Sequence, residues 1–441
     1  MTARTRYQAH SFSLYRLCTN SYSVGTMSRR PLFPVPFYQL TDKPYALLAI
    51  VCLAEAVSML SFAAWPLFLV KLQPLWGLSN FSTGWVSGAY FIGYVCATPV
   101  LVGLTDRFDA KNIYLFSCLI AAVGALCFAL LANGFWSAAL SWGLVGAGLA
   151  GTYMPGLQIL NARLNDTDRL RLLPYYTSAF GIGTGLSFFV MGWLYTHADW
   201  QTAFFCATAG SLVAGGLVGL FVRPAPIAKQ ADQPRRHPLD FRPAFQNAAA
   251  MRYICSYGAH NFELFAFRGW LFAYLIFAAS YYQIELSSAW LSGLISLMAL
   301  MGMVASVYGA KLCLANGRAK MISRFGLASF LMALIFSLSG YVNFTAVLIC
   351  AGLYNITIMF DSASLTAGTV SKARTEDRGA TLAVHSMIGF CGSALGAPAT
   401  GLVLDLSGGE MNLFAWSATL AAMGLGSGLV WLILRRPHNS S

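Results

Sequence analysis

Runs of about 20 mostly apolar residues recur along almost the whole chain, and they decide what it can fold into. A run of that length crosses about 30 Å of hydrocarbon as an α-helix rising 1.5 Å per residue. The short alternating segments of a membrane β-barrel are not the pattern seen. The expectation is therefore an all-α membrane protein. Composition agrees, with 57% hydrophobic and 10% charged residues in a chain of 441. Charged residues make up about 25% of an ordinary soluble domain. So few of them could not cover a water-facing surface, which excludes a cytosolic enzyme.

Breaking the runs at charges and turn residues predicts a first set of spans at Tyr45–Val70, Gly84–Leu104, Ile113–Leu131, Trp136–Leu160, Leu173–Thr196 and Thr202–Val222. A second set follows at Tyr253–Ala279, Trp290–Ala310, Met321–Leu338, Phe344–Ala367, Ala380–Leu404 and Leu413–Leu434. The expected organisation is a tail over 1–44, a six-helix bundle over 45–222, a Pro- and charge-rich linker over 223–252, a second bundle over 253–436 and a short tail over 437–441.

Twelve transmembrane helices place both termini on one side, and the retention of Lys and Arg in cytoplasmic loops says which. Arg107, Lys111, Arg163, Arg169, Arg171, the linker cations from Arg223 to Arg252, Lys311, Arg318, Lys320, Arg324, Lys372, Arg374, Arg378, Arg435 and Arg436 all fall on the side of the termini. The other side has Lys71. Both termini are thus expected in the cytoplasm, and the net charge of +12 reads mainly as a topology signal, with affinity for anionic lipid as a side effect. The first 44 residues lack the apolar stretch and small-residue cleavage site of a signal peptide and read as disordered, with Met27 a possible second start. The ten cysteines, Cys18 among them, sit almost all in apolar runs without CxxC spacing and read as free thiols, so neither a metal nor a cofactor is expected.

The halves resemble each other in the same orientation. Asp168-Arg169 followed by Ser178 and Gly181 matches Asp377-Arg378 followed by Ser386 and Gly389, a shift of about 208 residues. A parallel six-plus-six duplication is the architecture of a rocking secondary transporter. After the second span, Leu104-Thr105-Asp106-Arg107-Phe108-Asp109-Ala110-Lys111 resembles the loop signature of the major facilitator superfamily, G-x-L-a-D-R-x-G-R-K, with Val102 and Asp109 at the two glycine positions. Asp199-Trp200-Gln201-Thr202-Ala203-Phe204-Phe205 is similar to that family's W-R-x-x-F entry to the sixth span, with Gln201 replacing arginine. Gly392, Gly396, Pro398 and Gly401 resemble an antiporter pattern but stand in the eleventh span rather than the fifth, where close helix packing explains them. Trp142 stands where many proton-coupled relatives carry arginine. The resemblance covers about Tyr45 to Arg436 and implies a gating loop at Asp106, Arg107 and Lys111 that clamps helix ends in one conformation.

Ionisable residues at membrane depth are costly and persist where something compensates them. Here they are Glu55 in the first span, His260, Glu263 and Arg268 in the seventh, Asp361 in the tenth and His385 in the eleventh. In the family resembled, spans one, four, seven and ten line a central cavity, which implies a substrate and proton site at Glu55, His260, Glu263, Arg268 and Asp361. At about 100° per residue, His260 and Glu263 lie about 60° apart, while Arg268 is about 140° from Glu263. Either the seventh span is interrupted or Arg268 pairs with an acid of another helix, Glu55 and Asp361 being the candidates. His385 reads as a satisfied interface histidine. Phe262, Phe265, Phe267, Trp270, Phe272, Tyr274 and Trp65 surround the layer, mostly as packing, with Tyr153, Gln158, Asn355 and Thr357 as neutral donors.

The expected function is secondary active transport of a small organic solute by alternating access, coupled to protons and carried out by a monomer in a bacterial inner membrane. The alternative is a sensor or assembly protein on a transporter fold. The sequence carries no P-loop, H-E-x-x-H or G-x-S-x-G motif, so it reads as neither a nucleotide-driven pump nor an enzyme, and nucleic acid is not an expected partner.

Overall fold

The computed structural model describes residues 36–105, 107–225 and 241–435. The expectations for the N-terminal 35 residues, for Met27, for most of the linker and for the last residues fall outside these. The long helices are α1 (Pro44–Leu75), α2 (Asn80–Leu104), α3 (Ala110–Leu131), α4 (Phe135–Arg163), α5 (Asp166–His197), α6 (Trp200–Phe221), α7 (Ala248–Tyr281), α8 (Ser288–Asn316), α9 (Arg318–Ser339), α10 (Phe344–Lys372), α11 (Arg378–Leu406) and α12 (Leu413–Leu434). No strand occurs among the described residues.

Eleven of these helices are long and apolar enough to cross a membrane. The remaining one, α4, is long enough but less apolar, because Gly143, Gly146, Gly148, Gly151, Ser137, Ser141 and Thr152 dilute its apolar residues. The same small residues let it nest between α2 and α3, the helices with which it packs most extensively. A Cβ on Gly146 would collide with the Tyr90 carbonyl of α2. In α11, a Cβ on Gly396 would strike the Phe262 carbonyl of α7. The glycines of α11 therefore serve close helix approach.

Three spans are broken, α12 only at the single residue Gly424 between Met423 and Leu425. In α1 the α-helix stops at Ser58, passes through a 3₁₀ turn at Met59–Ser61 and resumes at Ala64. Pro66 lacks an N–H and its ring crowds the carbonyl four residues back, which accounts for the interruption. Ser187 of α5 satisfies the freed groups, accepting from the Ala63 N–H at 2.9 Å and donating to the Leu60 carbonyl at 2.7 Å. In α10 the α-helix stops at Met359 and resumes at Ser362, with Asp361 at the break.

Helices of the first half meet those of the second mainly through α2 on α11 and α5 on α8, pairs that correspond under the repeat. Ser296 of α8 donates to the Gly185 carbonyl of α5 at 2.7 Å. Loop residues fix the helix ends. Asp199 caps α6 by accepting from the Thr202 N–H at 2.7 Å, and hydrogen bonding from Thr202 holds its carboxyl below the ordinary range. Lys71, the cation expected alone at its end, donates to the Tyr195 carbonyl at 2.7 Å and lies over that residue's ring.

Candidate functional site

A cavity of about 310 Å³ lies between helices of both halves. Its wall takes Tyr94 from α2, Tyr153 from α4, Ser178 and Phe180 from α5, Met303 and Ser306 from α8, Met359 and Ser362 from α10 and Phe390 from α11. The largest share comes from α7, whose Tyr257, Asn261, Leu264, Phe265 and Arg268 recur at helical spacing along one stripe. Most of the lining positions, though not Arg268, lie in the halves of their helices nearer the Lys- and Arg-rich loops.

Arg268 is the one member of the expected charged set on this wall. Its guanidinium makes no ion pair among the described residues. Its contacts are a long one to Met359 Sδ at 4.0 Å and the Phe265 ring, 5.7 Å from the guanidinium carbon. Both sequence alternatives for it are corrected, since α7 runs unbroken from Ala248 to Tyr281 and neither Glu55 nor Asp361 pairs with it. Arg268 also borders a void of about 30 Å³ beside Trp65, Ser87 and Trp142. It therefore stands between the main cavity and that smaller space.

The remaining members form three separate buried settings rather than one shared site. Glu55 is fully buried in the first half, where the Tyr176 hydroxyl donates to Oε2 at 3.3 Å and Oε1 has no partner. Glu263 is enclosed in the second half, where Ser329 of α9 and Ser427 of α12 both donate to Oε1 at 3.0 Å. His260 Nδ1 lies 2.8 Å from Asp361 Oδ1, and their side chains are 2% and 5% exposed. The structure thus brings together His260 and Asp361 alone. That pair sits directly behind the cavity, because Asn261 follows His260, and Met359 and Ser362 flank the break at Asp361.

His385 is buried between Thr366 and Thr369, whose hydroxyls lie 3.2 Å from Nε2 and 3.1 Å from Nδ1, and it stacks on Tyr257 with ring centroids 4.0 Å apart. Of the aromatics expected around the layer, Phe265 reaches the main cavity. Trp270 and Trp65 are packed, donating to the Ala397 carbonyl at 3.0 Å and to Ser87 Oγ at 2.9 Å. Asn355 spends its amide on the Met298 carbonyl at 2.6 Å, whereas Tyr153 lines the cavity. Asn261 was not singled out from the sequence. Its Nδ2 is buried, unpartnered and on the cavity wall, and its place seven residues before Arg268 on one stripe was the available signal.

In the loop after α2, Asp106 lies outside the described residues, and Arg107 is exposed. Lys111 caps the end of α6, donating to the carbonyls of Gly219 at 2.9 Å and Val222 at 2.6 Å. Asp109, which stands at a glycine position of the signature, accepts two hydrogen bonds from Arg163 at 3.0 and 2.8 Å and one from the Ala225 N–H at 2.8 Å. The loop ties together the ends of α3, α4 and α6.

A cavity between two repeated helical halves, with close-packed glycines within each half, accords with a sequence comparison in which residues 48–374 match the model of the Major Facilitator Superfamily. The chain belongs to the Major Facilitator Superfamily. Two curated relatives of this superfamily member are the sphingosine-1-phosphate transporter SPNS2 of Mus musculus, 27% identical over 37% of this chain and 30% of that protein, and the gallate transporter of Pseudomonas putida, 28% identical over 35% and 32%. The chain spans about a third of the length of each. Among solved structures, the nucleoside transporter NupG superposes with a TM-score of 0.73 at 14% identity, covering 88% of this chain and 98% of that one. A bacterial homologue of the human lysosomal transporter Spinster, in an inward-facing and occupied conformation, gives a TM-score of 0.73 at 13% identity, covering 89% and 97%. The family and these relatives are transporters, not enzymes.

Proposed function

We propose that this protein is a secondary active carrier that moves a small organic anion with an apolar or aromatic body by alternating access. The observation that carries the reading is Arg268, an arginine without an ion partner among the described residues, on the wall of a cavity built from both halves. Arginine stays charged and offers a planar fork that matches carboxylate or phosphate. Tyr94, Tyr153, Tyr257, Phe180, Phe265 and Phe390 would enclose the body of the solute, and Asn261 would hydrogen-bond a polar group about 10 Å along the helix from Arg268. A volume of about 310 Å³ suits a small metabolite. The two matched relatives carry, by their names, an aromatic carboxylate and a phosphate ester.

Proton coupling enters this reading through His260 and Asp361. The pair links α7 to the break in α10, so a proton gained or lost there would change how the wall residues Met359 and Ser362 sit against Arg268. Glu55 and Glu263, which lie away from the wall, would act as further proton acceptors or as ties within their own halves. The basic loops would face the cytoplasm of a bacterial cell, with both termini on that side and residues 45–222 and 253–436 rocking as bundles.

A thermal-shift screen of aromatic carboxylates, phosphate esters and neutral nucleosides tests the substrate class, since specific binding stabilises by RT ln(1 + [L]/Kd). An anionic hit lost in Arg268→Ala and weakened in Arg268→Lys supports the reading. A hit that stabilises Arg268→Ala as well as the unaltered protein contradicts it.

A further inference from the structure

A second, larger pocket opens at the basic end of the second half, away from the transport cavity. It has a volume of about 520 Å³, and five cations from four helices converge on it: Arg252 of α7, Lys320 and Arg324 of α9, Lys372 at the end of α10 and Arg435 just after α12. Its floor is apolar, formed by Tyr253 and Leu434 of the packed cluster beneath.

The topology rule explains why Lys and Arg occur at this end, but not why they converge. In the first half the corresponding cations are largely spent. Arg163 is paired with Asp109 at 2.8 Å, Arg169 with Asp166 at 3.0 Å and Arg223 with Asp42 at 3.5 Å, while Lys111 caps α6. In the pocket, Lys320, Arg324, Lys372 and Arg435 have no acidic partner among the described residues. Arg252 donates to the Ile433 carbonyl at 2.8 Å, and Arg435 lies over the Trp431 ring at 4.7 Å, which fixes both near the rim. Four charges gathered without an acidic partner among the described residues repel one another, so a bound anion would lower their energy.

We propose that this pocket is a binding site for the phosphate headgroup of an anionic phospholipid. Two helix faces favour a lipid over a soluble phosphate. On α9, Lys320 and Arg324 are followed at helical spacing by Ala328 and the exposed Leu331. On α12, the exposed Leu429 and Leu432 lead at three-residue steps to Arg435. Each face runs from cation to exposed apolar side chain within about 17 Å, so one lipid can place its phosphate in the pocket and its chains along α9 and α12. Basic pockets between spanning helices are where such headgroups bind.

The test titrates purified full-length protein in detergent with phosphatidylglycerol or phosphatidylcholine and follows the unfolding temperature. Phosphatidylglycerol is expected to stabilise the protein saturably and phosphatidylcholine not. At about 1 kcal/mol per cation, the double substitution Lys320→Ala and Arg324→Ala weakens that binding about thirtyfold, while Arg171→Ala, a basic residue outside the pocket, changes it less than about twofold. Equal losses in the two variants, or none in the double variant, overturn the site. If the double variant does not fold, Lys372→Gln and native mass spectrometry of the unaltered protein in a mixed-lipid micelle replace it. Retention of phosphatidylglycerol over phosphatidylcholine, reduced by Lys372→Gln, then supports the site, and indifferent retention overturns it. Inorganic phosphate at equal concentration is expected to stabilise nothing, and saturable stabilisation by it overturns the lipid as the ligand.

Discussion

Asn80 and Asp405, 325 positions apart, close the end of the bundle opposite the basic loops: Asp405 Oδ1 accepts from the Asn80 backbone N–H at 3.0 Å and from its Nδ2 at 2.8 Å. The other carboxylate oxygen accepts from the Phe81 N–H at 2.8 Å, so an acid of α11 caps the start of α2 across the two halves. Glu410 accepts from the same Asn80 amide at 2.9 Å, and Gln73 donates to its oxygen at 2.9 Å. The alternating access proposed for this chain requires this clamp to open. A charge at a helix N-terminus combined with charge-assisted hydrogen bonds contributes about 1.5–3 kcal/mol. Asp405→Asn should therefore shift the population towards the form open at this end by roughly tenfold or more. The measure is the labelling rate of single cysteines placed at Thr83 and Leu404, which are buried next to the clamp residues and whose labelling is expected to rise in the variant. An unchanged rate would mean that the clamp does not set the equilibrium.

Glu263 holds three helices of the second half together through the two serine hydroxyls on Oε1. Glu263→Ala leaves the buried Ser329 hydroxyl without its acceptor, while Ser427 keeps the Gly424 carbonyl at 3.0 Å, and it opens a void, so that about 3 kcal/mol of stability should be lost. Glu263→Gln keeps an acceptor oxygen and should stay within about 1 kcal/mol. Thermal unfolding of the two variants in the same detergent checks this. If Glu263→Gln keeps its stability but loses proton-driven flux, the residue also takes part in coupling.

His260 and Asp361 should behave as one unit. Residues in direct contact couple by about 0.5–3 kcal/mol. Proton-driven uptake should fall in His260→Ala and in Asp361→Asn, and the double variant should be no slower than the slower single one. Additive losses would assign the two residues separate roles.

Asn261 is expected to contact solute without taking part in coupling. Asn261→Ala should raise the half-saturation concentration about fivefold to tenfold, in line with loss of one hydrogen bond worth about 1 kcal/mol, and leave the maximal rate nearly unchanged. Initial-rate kinetics over a range of solute concentrations distinguish this from a structural defect, which would lower the maximal rate.

The spans were legible because burial in lipid demands long apolar runs, and the helices follow the expected ones closely. Ends shifted where helices continue past the hydrocarbon. The fifth, expected from Leu173, begins at Asp166, where Asn165 caps it by accepting from the Asp168 N–H at 2.9 Å. The site was legible as a set of residues but not as directions. His260 and Glu263 differ by only about 60° around α7, yet that angle is enough to turn one towards α10 and the other towards α9 and α12. Arg268, about 140° from Glu263, faces the cavity as the same arithmetic implies. Which helix stands opposite each face depends on packing between distant segments, which one chain's periodicity does not reveal. Asp109 illustrates the same gap, because its partner Arg163 lies 54 positions away on another helix.

The most direct measurement is solute counterflow in proteoliposomes, using the anion that the thermal screen identifies, with Arg268→Ala and Arg268→Lys beside the unaltered protein. The account predicts that Arg268→Ala abolishes exchange while the protein remains folded, and that Arg268→Lys retains a reduced rate. Full exchange by Arg268→Ala would remove the guanidinium from the transport site, and with it the reading of this cavity as an anion carrier's.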